Sequence, residues 1–220
     1  LSLSPGDIYG FIGHNGAGKT TTLKAVSGIL DFKEGEILID GFSIKDNPVE
    51  CKQKLAYIPD NPDLYEHLTG LQYINFIADV YRVPQKEREV LINEYGDLFD
   101  ISKDYDDLIS SYSHGMKQKI AIIAALVHTP KLLILDEPFV GLDPKASHDL
   151  KQIFARLCED GSAIIFSTHV LEVAEKLCNK IGIIQDGKLV ADGLTGDVIG
   201  DRSLEDIFLN LVESREGDVS

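Results

Sequence analysis

The sequence predicts an α/β fold: a largely parallel sheet core, an inserted α-helical lobe and a short antiparallel β portion. Three observations carry this. An apolar run, Ile8 to Ile12, enters a glycine-rich turn and leaves it into a helical pattern. Further apolar strand patterns alternate with helical ones after residue 130, and such alternation implies a parallel sheet covered on both faces. Between these two regions, from Leu71 to about Val127, apolar residues recur at helical spacing with no strand signal among them.

Taken in order, Lys19 to Leu30 reads as a helix and Gly35 to Gly41 as a short strand between turn residues. Asn47-Pro48 opens a short helix. Leu55 to Ile58 is a strand, stopped by Pro59-Asp60-Asn61-Pro62, which forces an extended or turning backbone. In the helical lobe, Tyr73, Ile74, Ile77, Val80 and Tyr81 mark one amphipathic face. Strands return at Lys131–Asp136, Ser162–Ser167 and Ile181–Ile184, with helices near Pro144–Glu159 and Val170–Cys178. Asp186-Gly187 makes a hairpin turn into Lys188–Ala191. A last amphipathic helix is expected from about Leu204 to Val212, followed by a frayed polar tail, Glu213 to Ser220. The whole is read as a single domain over 1–220, its core formed by 1–65 and 129–220 and its helical subdomain by 66–128. A strand that enters its loop this close to Leu1 usually needs neighbours, so the β portion is expected to be partly missing at the N-terminus.

Composition removes several function classes. With 220 residues, 44% of them hydrophobic, the chain can bury a substantial core. A net charge of -15 disfavours nucleic acid as a partner, because affinity for phosphate backbone comes largely from Lys and Arg. The longest apolar run, Ile120 to Val127, is far shorter than the roughly 20 residues a membrane-spanning helix needs. Cys51, Cys158 and Cys178 are odd in number and lack a CxxC, which fits neither a disulfide framework nor a zinc site. Leu1 to Asp7 is too short and too little cationic for a signal peptide.

The glycine-rich turn is Gly13-His14-Asn15-Gly16-Ala17-Gly18-Lys19-Thr20, followed by Thr21. This is the GxxxxGK[ST] phosphate-binding loop. Its glycines let backbone N–H groups face inward, and it ends at a helix N-terminus that favours a polyphosphate. Lys19 then reaches the terminal phosphates, and Thr20 places a hydroxyl where a phosphate-bound Mg²⁺ sits. Leu132 to Glu137 supplies the second element of a P-loop NTPase, an apolar strand ending in two carboxylates. Asp136 is placed to hold Mg²⁺ beside Thr20, and Glu137, just outside the strand, to polarise water as general base. Ser113 reads as the N-cap of the helix that runs on to Val127. With Gly115 and the exposed N–H groups of that helix start, it also forms a second possible phosphate site.

In this order the motifs resemble the nucleotide-binding subunit of an ABC transporter. Tyr112-Ser113-His114-Gly115-Met116 stands where that family has its LSGGQ signature, Pro59-Asp60 at the Gln-loop, Gly141-Leu142-Asp143 at the D-loop and Ser167-Thr168-His169 at the switch. The Ser-x-Gly-Met-Lys-Gln form and Tyr57-Ile58-Pro59 resemble bacterial ABC-2-type exporters, including drug, antimicrobial-peptide and Ecs-like ATPases. The resemblance implies an ATPase that uses ATP and Mg²⁺ at the cytoplasmic face of a bacterial membrane. It also implies integral-membrane permease partners and an ATP-dependent homodimer or heterodimer. His169 becomes the switch histidine that contacts the γ-phosphate. Ser113 and Gly115 become nucleotide ligands across the dimer, and Asp143 a dimer-interface residue that also suits an N-cap before Pro144.

Two departures stand out. Asp60 replaces the usual Gln, a residue that touches metal and water and couples the site to the membrane partner. His114 and Met116 replace a Gly and a Gln, while Ser113 and Gly115 survive. The family's adenine-stacking aromatic falls before Leu1. Two other readings compete: a soluble ABC-type ATPase acting on nucleic acid or ribosomes, which the acidic charge disfavours, and a GTPase or small-molecule kinase. For the latter, Asn179-Lys180-Ile181-Gly182 lacks the Asp that reads guanine. In the family that these motifs resemble, the transported substrate is chosen by the membrane subunits, so it is not written in this chain.

Overall fold

The computed structural model describes residues 1–200 and 202–208. Strand β1 (Ile8–Ile12) has all five residues buried. Its side chains alternate between two cores, with Ile8 and Ile12 in one and Tyr9 and Phe11 in the other. A strand apolar on both faces belongs inside a sheet covered on both sides. The main sheet runs, edge to edge, β4 (Leu55–Ile58), β5 (Leu132–Asp136), β6 (Ala163–Thr168), β1, β7 (Lys180–Gln185) and β8 (Lys188–Leu194). Every pairing is parallel except the β7–β8 hairpin. Ile12 lies opposite Thr168, and Asp136 opposite Ser167, so β1, β5 and β6 end level with one another. Ligand sites of open α/β sheets lie beyond that edge.

Local chemistry sets where the elements stop. Helix α1 (Lys19–Val26) ends four residues earlier than its periodicity suggests. The Ser27 N–H turns back to Leu23 O at 3.0 Å, and Gly28 takes a left-handed φ of 67°, a common helix stop. Where the sequence reads as one strand over 35–41, a two-stranded hairpin forms, β2 (Leu38–Ile39) with β3 (Phe42–Ser43). Its Asp40-Gly41 turn has φ of 50° and 81°, the positive pair that matches the twist of paired strands.

Helix α2 (Pro48–Lys54) leads into β4. Between β4 and β5 come α3 (Gly70–Val80), α4 (Gln85–Leu98), two 3₁₀ turns and α5 (His114–Leu126). At the start of α3 the Thr69 hydroxyl accepts from Gln72 N–H and the Gln72 side chain accepts from Thr69 N–H, a capping box. Helices α6 (Pro144–Glu159) and α7 (Leu171–Leu177) separate the later strands. The sequence reading missed α8 (Thr195–Ile199) and stopped β8 three residues early. Residues 204–208 are helical as expected. The rest of that expected helix, 209–212, and the tail 213–220 lie outside the described residues.

One contact ties the helical stretch to the sheet edge and yields a test. His128, just after α5, stacks on Tyr81 with ring centroids 3.6 Å apart, and its Nε2 lies 3.3 Å from Leu55 O on β4. Burial pushes its pKa down from 6.5 to about 4, so the folded protein keeps this ring neutral. The unfolded chain takes up the proton first, and stability therefore falls as pH drops from about 6.5 to about 4, then levels off. The slope from this one group is at most about 1.4 kcal/mol per pH unit. Urea unfolding across that window should show a shallower acid loss for His128→Gln than for the parent. Equal slopes would mean that other groups carry the titration.

Candidate functional site

The loop from Gly13 to Gly18 is shaped by close neighbours. A Cβ on Gly13 would fall 2.5 Å from Ile184 O, and Gly18 has a φ of 110°, both open only to glycine at low cost. The Gly187 N–H in the β7–β8 turn donates to Ala17 O at 2.8 Å and holds the loop against that hairpin. No side chain caps α1. Its first N–H groups are thus not taken up by a capping side chain, and such free groups at a helix start bind anions.

Lys19 is only 7% exposed and its Nζ donates to Gly13 O at 2.6 Å, with His14 O at 3.4 Å. The Thr20 hydroxyl donates to Asp136 Oδ2 at 2.6 Å, and the Ser167 hydroxyl donates to Asp136 Oδ1. Glu137 follows with a left-handed φ of 49°. A non-glycine residue held this way costs on the order of 1–3 kcal/mol and persists only when its surroundings fix it. Ser167 Oγ accepts the Glu137 N–H at 3.0 Å. The Glu137 carboxylate then lies between two cations or potential cations, with Oε1 3.7 Å from Lys19 Nζ and Oε2 3.0 Å from His169 Nδ1. Together, His14, Asn15, Gly16, Gly18, Lys19, Thr20, Thr21, Asp60, Asp136 and Glu137 line one cleft of about 270 Å³.

This donor set suits a divalent cation carried by a phosphate. Thr20 Oγ1 and Asp136 Oδ2 are hard oxygen ligands already within 2.6 Å of each other, and Asp60 lines the same cleft. Among the described residues no group of three His, Cys, Asp or Glu side chains forms a self-sufficient metal cage. A cation here would therefore need oxygens from the phosphates as well.

A family model described as ABC transporter matches residues 1–140. The chain belongs to the ABC transporter family. Over 222 residues this ABC protein is 33% identical to the ABC-type transporter ATP-binding protein EcsA of Bacillus subtilis, covering 99% of this chain and 90% of EcsA. It is 37% identical to the linearmycin resistance ATP-binding protein LnrL of the same organism over 90% of its own length. The bacitracin transport ATP-binding protein BcrA of Bacillus licheniformis is 35% identical over 87% of it. The chain spans 64% of LnrL and 62% of BcrA. Among solved structures, an ATP-binding subunit of an ABC transporter matches with a TM-score of 0.93 at 33% identity, over 96% of this chain and 90% of that one. A dimeric post-hydrolysis ATP-binding cassette bound to ADP and Pi shares the fold, with a TM-score of 0.80 at 24% identity. Among the described residues, no helix is long and apolar enough to cross a membrane.

The fold of the ABC protein brings together the phosphate loop, Asp60, Asp136, Glu137 and His169. It leaves Ser113, Gly115 and Asp143 outside that cleft. Ser113 is the N-cap of α5, its hydroxyl accepting from Met116 N–H at 3.3 Å, and Asp143 caps α6, accepting from Ala146 N–H at 2.9 Å. Sequence reasoning placed Ser167 in the switch stretch but missed that it bridges Asp136 and the Glu137 backbone. A serine directly after the apolar run Ala163 to Phe166 was the available signal.

Proposed function

We propose that this ABC protein binds Mg-ATP in the cleft at the sheet's carboxyl edge and hydrolyses it, as the ATP-binding subunit of an exporter. The observation that carries the reading is the convergence of buried Lys19, the Thr20–Asp136 pair and Glu137, itself held by His169, on one 270 Å³ space. On nucleotide binding, Lys19 trades the Gly13 and His14 carbonyls for phosphate oxygens, while backbone N–H groups of the loop and α1 hold the remainder. Thr20 and Asp136, with Asp60 nearby, would hold a magnesium ion, which would supply positive charge against the phosphates. Glu137 takes the proton of the attacking water, and His169 holds Glu137 and the γ-phosphate end in place. The residues of this cleft all fall within the proposed core of 1–65 and 129–220, and the signature falls within 66–128, as parts of one cassette domain.

The membrane-spanning partners are separate permease subunits, and the cassette sits against them at the cytoplasmic face of a bacterial membrane. The segment that begins in the cleft at Asp60 continues through Pro62 and Leu64 into an apolar groove with Tyr73 and Ile77, which supports a mechanical route between nucleotide and permease.

The signature lies outside its own cleft, which supports a head-to-tail dimer. Ser113 and the N–H groups near Gly115 then meet the γ-phosphate held by another chain's Lys19, so ATP joins the two copies, or a copy and a related chain. Light scattering on Glu137→Gln protein should show the mass double with Mg-ATP. Adding Ser113→Arg should keep it monomeric. A mass unmoved by saturating Mg-ATP would overturn the dimer, and absent phosphate release from the parent protein would overturn the ATPase.

A further inference from the structure

Gln118 is a fully buried polar side chain with no part in the site as described so far. It is 1% exposed, its Nε2 donates to Pro138 O at 2.8 Å, and its Oε1 is buried without a hydrogen-bond partner. Holding an unpaired amide oxygen in a core is unfavourable, and an apolar residue of this size avoids it. What the amide supplies in return is the bond to Pro138, the residue directly after Glu137. The Glu137 backbone is strained, and its turn is closed by Val140 N–H donating to Glu137 O at 3.1 Å. Ser167 holds the N–H side of Glu137, and Gln118 holds the carbonyl that follows it.

The same helix face touches this segment again. His114 and Gln118 are four residues apart and share one side of α5. The His114 ring packs so closely on Gly141 that a Cβ there would lie 2.5 Å from His114 Cδ2, and a Cβ on Gly115 would lie 3.3 Å from Gly141 O. The first turns of α5 are thus fastened to the 138–141 segment at three points. This segment begins beside Glu137 and leads to Asp143.

We propose that Gln118 is a positioning residue for Glu137, linking the placement of each chain's base to that chain's own signature helix. The inference rests on the assignment of Glu137 as base. In the dimer, a signature helix engaged on one nucleotide sets the geometry of the base at the other.

Gln118→Leu keeps the volume and removes the donor, leaving Pro138 O buried and unpaired. It should lower kcat by roughly ten- to a hundred-fold, the scale of a small misplacement at the reacting atoms, with KM within about two-fold. Gln118→Glu tests the donor itself. Its carboxylate opposes the Pro138 carbonyl, but its protonated form can donate, so its activity relative to the parent should recover between about pH 8 and about pH 6. Independently of turnover, hydrogen exchange at the Val140 amide should quicken by on the order of ten-fold in the Leu variant, since its bond to Glu137 O loses support. Unchanged kcat and unchanged Val140 exchange would overturn the proposal, as would a Glu variant with the parent's pH profile. If the parent itself releases no phosphate, the ATPase reading fails and the Val140 exchange alone decides the role of Gln118.

Discussion

Glu137→Gln is expected to cut steady-state ATP hydrolysis by roughly a hundred- to ten-thousand-fold, the range that a positioned general base contributes. The amide keeps the shape of the carboxylate, so the left-handed turn, the Ser167 bond to the Glu137 N–H and the lining of the cleft survive. It cannot accept a proton from water. Affinity for Mg-ATP should stay within a few-fold or rise slightly, because a negative charge 3.7 Å from Lys19 is removed from beside the incoming phosphates. Phosphate release and equilibrium binding of a fluorescent ATP analogue separate the two effects. Near-parental turnover in this variant would remove Glu137 from the chemistry.

Lys19→Ala is expected to act on the other quantity. Charge-assisted hydrogen bonds are worth about 1.5–3 kcal/mol, so losing the ammonium should raise the Kd for Mg-ATP by roughly ten- to a hundred-fold. The effect should be large because Lys19 is already desolvated: at 7% exposure, its ammonium is solvated mainly by two loop carbonyls, which it exchanges for phosphate oxygens. The fold should tolerate the change, since neither carbonyl depends on Lys19 for the loop's shape, which Gly13, Gly18 and the Gly187–Ala17 bond maintain. Titration of the variant with the same analogue checks this. An unchanged Kd would show that triphosphate is held elsewhere.

What could be read without coordinates was what is contiguous. The phosphate loop is eight consecutive residues whose chemistry depends on their own backbone, and Asp136-Glu137 ends a recognisable apolar strand. The caps at Ser113 and Asp143 are equally local and stand where the residue types place them. Other parts depend on register or backbone sign. Ser167 reaches Asp136 only because β5 and β6 pair with Asp136 opposite Ser167, an offset no single stretch encodes. The positive φ of Glu137 comes from tertiary contacts around a residue type that ordinarily avoids it. The hairpin at Asp40-Gly41 was hidden because its two strands are only two residues long each, too short for an alternation to register.

The place of β1 between β6 and β7 governs when this protein can become functional during synthesis. Its strand is translated long before its partners, and the Ile8 N–H finds its acceptor, Asn179 Oδ1, 171 positions later at 2.9 Å. The last brace of the phosphate loop, Gly187, follows later still. While the ribosome works through the intervening helices, whose own backbone hydrogen bonds are local, the uncharged β-former Ile-Tyr-Gly-Phe-Ile waits for the strands that flank it, β6 and β7. A chain stopped before about residue 187 would lack the Gly187 brace of the phosphate loop and would leave β1 without β7, so it is expected to bind nucleotide poorly and to expose an adhesive segment.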